Sequence, residues 1–519
     1  MISRLYKYFW YLLWGSSLVL SVVVRIPGLQ SSSSWWRANQ TELTAFWFNK
    51  EGIDLINYET PLYGLPWQIP FEFPLFQATA AVISKTGFGD IAFSCRLAAL
   101  FYFYLTALFL YLLCKKIFQD EKVTFLSVTL FLWLPYNIYY STEPLIDYAA
   151  LSFSLAYFYF IFLWLKYPQK SYLILFSILS GSLAVLVKPT TVPVVIVPIA
   201  AFVLKDILQK FEAELNGLSS WRLIIRKILL HKGYWFSLAL IGMVPLILGY
   251  LWTRHSDNIK SISIFTQWLT SESLTAWNFG SLALRKDQFV WQRYLMDGLR
   301  WIAPYGLLMF AVFGGISAAG LIHSKERAHD NEASLFYLAM GLSIILTFGV
   351  FLNLYQHIYY FIAWTVSISI LSAYGMALYW ELRKQIYPPL RLFFLAWLVF
   401  FVYFGYRDHT SLSNVQKADT AKWIEKKVWA EQVQAHVPED KWVVIVDYDW
   451  SPTYPYLIQR KSMVFSPKDD GKPICKLIRD DNFELVILAD PNYQSNLTRV
   501  LNCYKSTIEV MPGVFQIVH

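Results

Sequence analysis

Residues 139–149 read YYSTEPLIDYA and sit between two apolar runs, near 124–140 and 147–165, with no lysine or arginine among them. Each run is long enough to cross a hydrocarbon core of about 30 Å, so the stretch reads as a tight turn on one face of a membrane. Outward from it, further spans read near 8–26, 96–114, 172–187, 189–205, 235–253, 301–322, 334–353, 357–379 and 390–406, eleven in all. The 519-residue chain is 56% hydrophobic, 18% aromatic and only 15% charged. That balance belongs to a polytopic membrane protein and excludes an ordinary soluble domain.

Charge sets the orientation. Arg4 and Lys7, then Lys115, Lys116 and Lys122, Lys166 and Lys170, the basic stretch 205–232, Lys325 and Arg327, and Arg383, Lys384 and Arg391 occupy alternate loops. The turns at 141–146 and 354–356 hold no lysine or arginine. This is the positive-inside pattern with a cytoplasmic N-terminus. The net charge of +8 then reflects topology and contact with anionic membrane lipids, not nucleic acid. The first apolar run lacks a small-residue cleavage site and continues into VVVRIPG (22–28), so it reads as a retained span, not a signal peptide.

Three segments are left on the extracytoplasmic face: 27–95, 254–300 and the tail from 407 to 519. In the tail, KWVVIVDYDW (441–450) and FELVILAD (483–490) read as buried strands and DTAKWIEKKVWAEQVQAH (419–436) as an amphipathic helix. The expected architecture is an α-helical transmembrane domain over 1–406, followed by a small α/β domain over 407–519. Cys475 and Cys503 in the tail are open to pairing in an oxidising compartment or to remaining free; Cys95 and Cys114 lie in or near the membrane.

Charge at membrane depth is costly, which makes each such residue a functional candidate. The candidates gather on one face. Arg37 and Glu42 fall in WWRANQTELTAFWF (35–48), Glu72 in FEFPLFQ (71–77) and Arg96 in CRLAAL (95–100). Glu143 and Asp147 lie in the turn quoted above, Lys188 in LVKPTT (186–191), and His357, Tyr359 and Tyr360 in YQHIYYF (355–361). Plainer roles stay open for several of them. Lys188 suits a snorkelling lysine, Arg96 an anchor at a span end, Glu143 an N-cap of the fourth span, and the His–Tyr group an interfacial aromatic belt. Asp147, inside an apolar run, reads as a site residue. In the tail, Asp447, Asp449, Ser451, Tyr454, Arg460 and Lys461 suit acceptor binding, or else a strand followed by a helix N-cap and a solvated basic end. Asn39-Gln40-Thr41 and Asn496-Leu497-Thr498 fit the glycosylation pattern and read as coincidences.

In this order and spacing, WR…QTEL, EFPLFQ, CRLAAL, NIYYSTEPLIDYAAL, LVKPTT and YQHIYY resemble the GT-C glycosyltransferases, in the branch of the protein O-mannosyltransferases and the lipid A aminoarabinose transferase. The resemblance covers roughly 1–380. It implies many transmembrane helices with juxtamembrane helices in the first outer loop. It also implies inverting transfer of a sugar from a polyprenyl-phosphate donor to an extracytoplasmic acceptor, at a bacterial inner membrane. Glu72 matches the acid of the family's Glu-x-Pro motif and Asp147 the acid of the second outer loop. Lys188 matches the lysine before proline that meets donor phosphate, and His357 and Tyr360 the later His-x-Tyr-Tyr motif. Arg96 matches an arginine at the start of the second span. The implied assignment is then Glu42, Glu72 and Asp147 as catalytic acids, and Arg96, Lys188, His357 and Tyr360 around donor phosphate. Arg37, Gln40 and Tyr359 fall to the substrate. No cofactor is firmly implied, although a divalent metal could join Glu72 and Asp147.

One departure stands out. Gln40 occupies the position of the family's first-loop aspartate, and an amide cannot accept a proton as a carboxylate does. Glu42, two residues on, projects about 200° away if the segment is helical. Three readings stay open: a local shift that brings Glu42 in, an acid–base role for Glu72 with Asp147, or binding of the donor without transfer. A GT-C-like scaffold and a lipid-linked-sugar transporter are the competing functions. The chain shows no internal repeat and its charges cluster on one face, which weighs against transport.

Overall fold

The computed structural model describes residues 2–31, 36–215, 231–293, 330–352, 357–382, 388–447, 449–469, 471–479 and 482–518, together with 302, 311, 312 and 315. Its membrane part is helical: α1 (Ile2–Leu29), α2 (Trp36–Glu51), α3 (Leu75–Lys85), α4 (Ile91–Ile117), α5 (Glu121–Trp133), α6 (Pro135–Tyr140), α7 (Asp147–Lys166), α8 (Tyr172–Val187), α9 (Pro193–Leu215) and α10 (Lys232–Lys260). After several short turns, α11 (Asp330–Val350), α12 (Ile362–Leu382) and α13 (Pro388–Gln434) follow. Local chemistry sets several boundaries. Asp90 and Asp120 cap α4 and α5 by accepting from the backbone N–H groups of Phe93 and Lys122. Pro135, which can enter a helix only in its first turn, divides the expected 124–140 span into α5 and α6.

Among the described residues, four helices are long and apolar enough to cross a membrane: Ile91–Ile117, Asp147–Lys166, Lys232–Lys260 and Ile358–Tyr379. Shorter apolar helices run over Trp14–Leu29, Tyr172–Val187 and Glu332–Thr347. The expected span at 189–205 begins as a 3₁₀ turn, Pro189–Thr191, before α9. The one at 301–322 lies outside the described residues except at 302, 311, 312 and 315. Helix α7 is at the centre, packed on α4, α8, α9 and α12. Between α7 and α8 the approach is close enough that a Cβ on Gly181 would stand 2.7 Å from the Tyr157 ring. Buried Arg25 in α1 donates to Ser141 Oγ at 2.7 Å and to the Leu132 carbonyl at 2.6 Å, which pins the 141–146 turn to the first span.

The expected strands form as β1 (Trp442–Val446) and β3 (Phe483–Leu488), joined by β2 (Ser462–Phe465), β4 (Ser506–Met511) and β5 (Val514–Val518). The sheet order is β2-β1-β3-β5-β4, with β1 parallel to both neighbours and β5 antiparallel to β3 and β4. Cys475 and Cys503 are disulfide-bonded; Cys95 and Cys114 are buried free thiols. The amphipathic segment 419–436 is largely the end of α13, a single 47-residue helix, so position 406/407 falls inside a helix. The basic end of the 447–461 stretch is structural. Arg460 donates to the carbonyls of Val437 and Pro438, and Lys461 pairs with Glu59 at 2.6 Å and Glu51 at 3.2 Å.

The small domain is seated directly on the first loop. Val464 N–H donates to the Leu62 carbonyl at 2.7 Å and Tyr63 bridges Met463, so the loop extends the sheet at its β2 edge. Trp67 and Trp442 meet edge to face at 4.9 Å. Helices α2 and α3 fall within 27–95, where juxtamembrane helices are expected, and α2 packs on α3, on α4 and on the short helix Thr453–Ile458 of the small domain.

Candidate active site

The Glu-x-Pro stretch is held from two sides. Tyr58 Oη donates to the Glu72 carbonyl at 2.7 Å and accepts from Phe71 N–H at 2.8 Å. Phe73 N–H donates to the carbonyl of Leu186, two residues before Lys188. Glu72 and Lys188, 116 positions apart, are brought to one place by these bonds. Tyr136, just ahead of the 141–146 turn, donates to the Ile358 carbonyl at 2.6 Å and ties that region to the His–Tyr motif.

Two ion pairs result. Arg37 meets Glu72 at 2.7 Å and also donates to Gln40 Oε1 at 2.8 Å, while Gln77 donates to the other Glu72 oxygen at 2.7 Å. Lys188, at the C-terminal cap of α8, meets Asp147, the first residue of α7, at 2.5 Å. Its ammonium also lies 4.0 Å from the Tyr360 ring centroid and 5.2 Å from that of Tyr359. His357 stacks on Tyr359 at 5.5 Å; burial, and then the Lys188 charge, lower its pKa. Arg37, Tyr359 and Asp147 interact electrostatically, so the two pairs form one cluster. Lys188 is therefore not a snorkelling lysine: its ammonium turns inward to a carboxylate. Among the described residues, Asp147 Oδ2 is buried with no hydrogen-bond partner, whereas both Glu72 oxygens are engaged.

Glu42 and Arg96 belong to a second cluster. With 36–51 helical, Arg37 and Gln40 face Glu72 while Glu42 faces Asn39, whose amide donates to it at 3.1 Å. Asn39 Oδ1 in turn accepts from Thr453 of the small domain at 2.8 Å. Arg96 donates to the Thr142 carbonyl at 3.1 Å and lies 3.6 Å from Glu143. Arg96 Nε and Nη2 and Glu143 Oε2 have no hydrogen-bond partner among the described residues. Burial pushes the Glu42 carboxyl up to about 8, against the pull of Arg96 and the Asn39 bond. Glu143 does not cap the fourth span. Helix α7 starts four residues later with Ile146 at its N-cap, and the carboxylate turns inward to the buried Arg96 guanidinium.

Sequence reasoning missed Lys260. It ends α10 buried, 5.4 Å from the Phe71 ring and within electrostatic range of Glu72 and Arg37. It lies in the polar stretch TRHSDNIK (253–260), past the expected end of the 235–253 span, so nothing local singled it out. A divalent metal at Glu72 and Asp147 would have to displace the cation each carboxylate holds. Among the described residues, no three His, Cys, Asp or Glu side chains gather as a metal site.

The order of motifs, the helical fold and this site agree with a match of residues 70–248 to the family described as dolichyl-phosphate-mannose-protein mannosyltransferase. The match covers about a third of the chain, within a fold that is mostly helical and carries a small C-terminal sheet domain. Among solved structures, the chain resembles ArnT of Cupriavidus metallidurans bound to undecaprenyl phosphate, with TM-score 0.63 and 12% identity over 98% of this chain and 97% of that one. It also resembles the oligosaccharyltransferase AglB of Archaeoglobus fulgidus, in complex with an inhibitory peptide and a dolichol-phosphate. There the TM-score is 0.50 and the identity 14%, over 93% of this chain and 70% of that one. No curated protein matches the chain in sequence.

Proposed function

We propose that the protein is an inverting glycosyltransferase. It moves a sugar from a polyprenyl-phosphate donor to an acceptor on the face that carries the small domain. The observation that carries this reading is the single cluster in which Arg37–Glu72 and Lys188–Asp147 meet Tyr359 and Tyr360. Donor phosphate competes with the carboxylates for Lys188 and Arg37, with Lys260 as a third cation beside them. Charge-assisted hydrogen bonds of this kind hold phosphate well and stabilise its leaving charge. In the transfer step the acceptor hydroxyl oxygen attacks the anomeric carbon. The bond from that carbon to phosphate oxygen breaks, and its electron pair stays on the phosphate. The hydroxyl proton passes to a carboxylate. Asp147 is that base, because its Oδ2 is the unpartnered oxygen of the two pairs. Glu72, with both oxygens engaged, positions Arg37.

Buried pairs of opposite charge are costly to build and gain little stability over apolar packing, which favours a functional reason for keeping them. The positive-inside pattern supports an extracytoplasmic site and an extracytoplasmic disulfide-bonded domain, and the membrane in this reading is a bacterial inner membrane. A second reading, donor binding without transfer, draws on Gln40, which receives the Arg37 hydrogen bond where relatives have an aspartate.

The test is transfer from a labelled polyprenyl-phosphate sugar by the purified full chain, with Asp147→Asn, Glu72→Gln and Glu42→Gln alongside. The proposal expects Asp147→Asn to suffer most and Glu42→Gln least. Firm donor binding with no transfer to any envelope acceptor would select the second reading.

A further inference from the structure

Above the Arg37–Glu72 pair lies a group of aromatic rings drawn from four segments. Trp36 precedes Arg37 in α2 and Phe71 precedes Glu72, while Trp268 comes from the second outer segment and Trp450 from the small domain. Trp450 is their hub. It meets Trp36 edge-on at 5.8 Å, stacks on Phe71 at 6.0 Å and meets Trp268 at 6.0 Å. These rings are not sealed: Trp36, Phe71 and Trp450 are half-buried and Trp268 is 38% exposed. A ring that serves only to glue the domain down looks different here, because Trp67, against Trp442, is 5% exposed. At the rim, Asp449 meets Lys468 at 2.5 Å beside Trp450, so charged hydrogen-bonding groups edge the aromatic surface.

We propose that Trp36, Phe71, Trp268 and Trp450 form an acceptor subsite that takes a sugar ring, with the small domain supplying Trp450. The occupant is a glycan or glycolipid headgroup, not a peptide or an isoprenoid tail. A pyranose presents a flat array of C–H bonds to an aromatic face and hydroxyls at its edge, which is the polarity of these rings and their rim. An isoprenoid tail needs apolar surroundings throughout, and the Asp449–Lys468 rim does not offer them. The subsite adjoins the transfer site, since Lys260 lies 5.4 Å from the Phe71 ring and within electrostatic range of Glu72 and Arg37. A sugar stacked there carries its hydroxyls toward that pair.

This inference rests on the transferase reading, and its experiment has two arms. In the first, oligosaccharide released from bacterial cell envelopes by mild acid is titrated into the full chain in detergent, without donor, and indole fluorescence is followed. Wild type is expected to show saturable quenching, Trp268→Ala at least tenfold weaker binding, and Trp268→Phe most of the wild-type affinity. In the second, transfer to the same oligosaccharide is timed: Trp268→Ala and Trp450→Ala raise the acceptor KM tenfold or more, with the donor KM changed less than threefold. Trp268 lies outside the small domain, so its variants separate stacking from loss of the domain's seat. Oligosaccharide binding without any transfer overturns the enzyme reading and keeps the subsite. Equal binding by wild type and Trp268→Ala, or a hydroxyl-bearing peptide accepting sugar in place of the oligosaccharide, overturns the subsite.

Discussion

Two buried polar clusters lie a helix-width apart on α2, and they are built on different charge balances. Around Glu72 and Asp147, each carboxylate has its own cation, and the Arg37 and Lys188 side chains keep 20% and 10% of their surface exposed. Around Arg96, one guanidinium faces two carboxylates, Glu42 and Glu143, and all three are nearly fully buried beneath Thr453 of the small domain. Charges that are balanced and within reach of a ligand can be exchanged for phosphate. An unbalanced and sealed group keeps a proton and holds two parts of the molecule together. The same helix thus presents chemistry on one side and architecture on the other.

The contrast can be broken most sharply at Arg96. Removing one partner of a buried ion pair leaves an uncompensated charge, so Arg96→Met should cost on the order of 3–5 kcal/mol, read as a thermal shift of the detergent-solubilised protein. Unchanged stability with lost donor affinity would move Arg96 into the phosphate site. Next in size, Asp147→Asn should lower the transfer rate about 100-fold while donor affinity persists, because loss of a positioned base typically costs 10²–10⁴ in rate. Lys188→Met should weaken donor binding about tenfold in equilibrium titration, the scale of one lost charge-assisted contact. The smallest effect is expected at Glu42. Its carboxyl is raised from 4.5 to about 8, so the folded protein keeps a proton that the unfolded chain gives up above pH 4.5. Stability is therefore lost progressively as pH climbs from that value through about 8. Glu42→Gln should match wild type at pH 4 and melt a few degrees higher at pH 8; a variant that is equally stable at both would place the ionised form in the fold.

Much of this was legible in the chain. Asp147 and Lys188 were readable because charge in apolar runs is expensive, and the Glu-x-Pro and His-x-Tyr-Tyr motifs pointed to the same face. The strands at 442–446 and 483–488 followed from their short apolar runs. The role of Glu143 stayed open because its partner, Arg96, lies 47 positions away, and a local capping pattern is all that neighbouring residues display. The split of α2 into two faces needed the helix to form before the 200° offset between Gln40 and Glu42 acquired a meaning. Thr453 and Trp450 left no trace of their roles, since both meet α2 across more than 400 residues of chain. The change from apolar to polar sequence near 406 reads as a boundary, yet composition says nothing about whether a helix stops there.

That uninterrupted helix has a mechanical consequence. At about 1.5 Å per residue, the 47 residues of α13 make a strut about 70 Å long. One end lies in an apolar run and the other packs against the short helix Thr453–Ile458. A hinge between membrane and domain would let the two tilt independently; a strut couples them. Any lean of the apolar start of this helix is delivered to Thr453 and Trp450 as a displacement, with leverage set by its length.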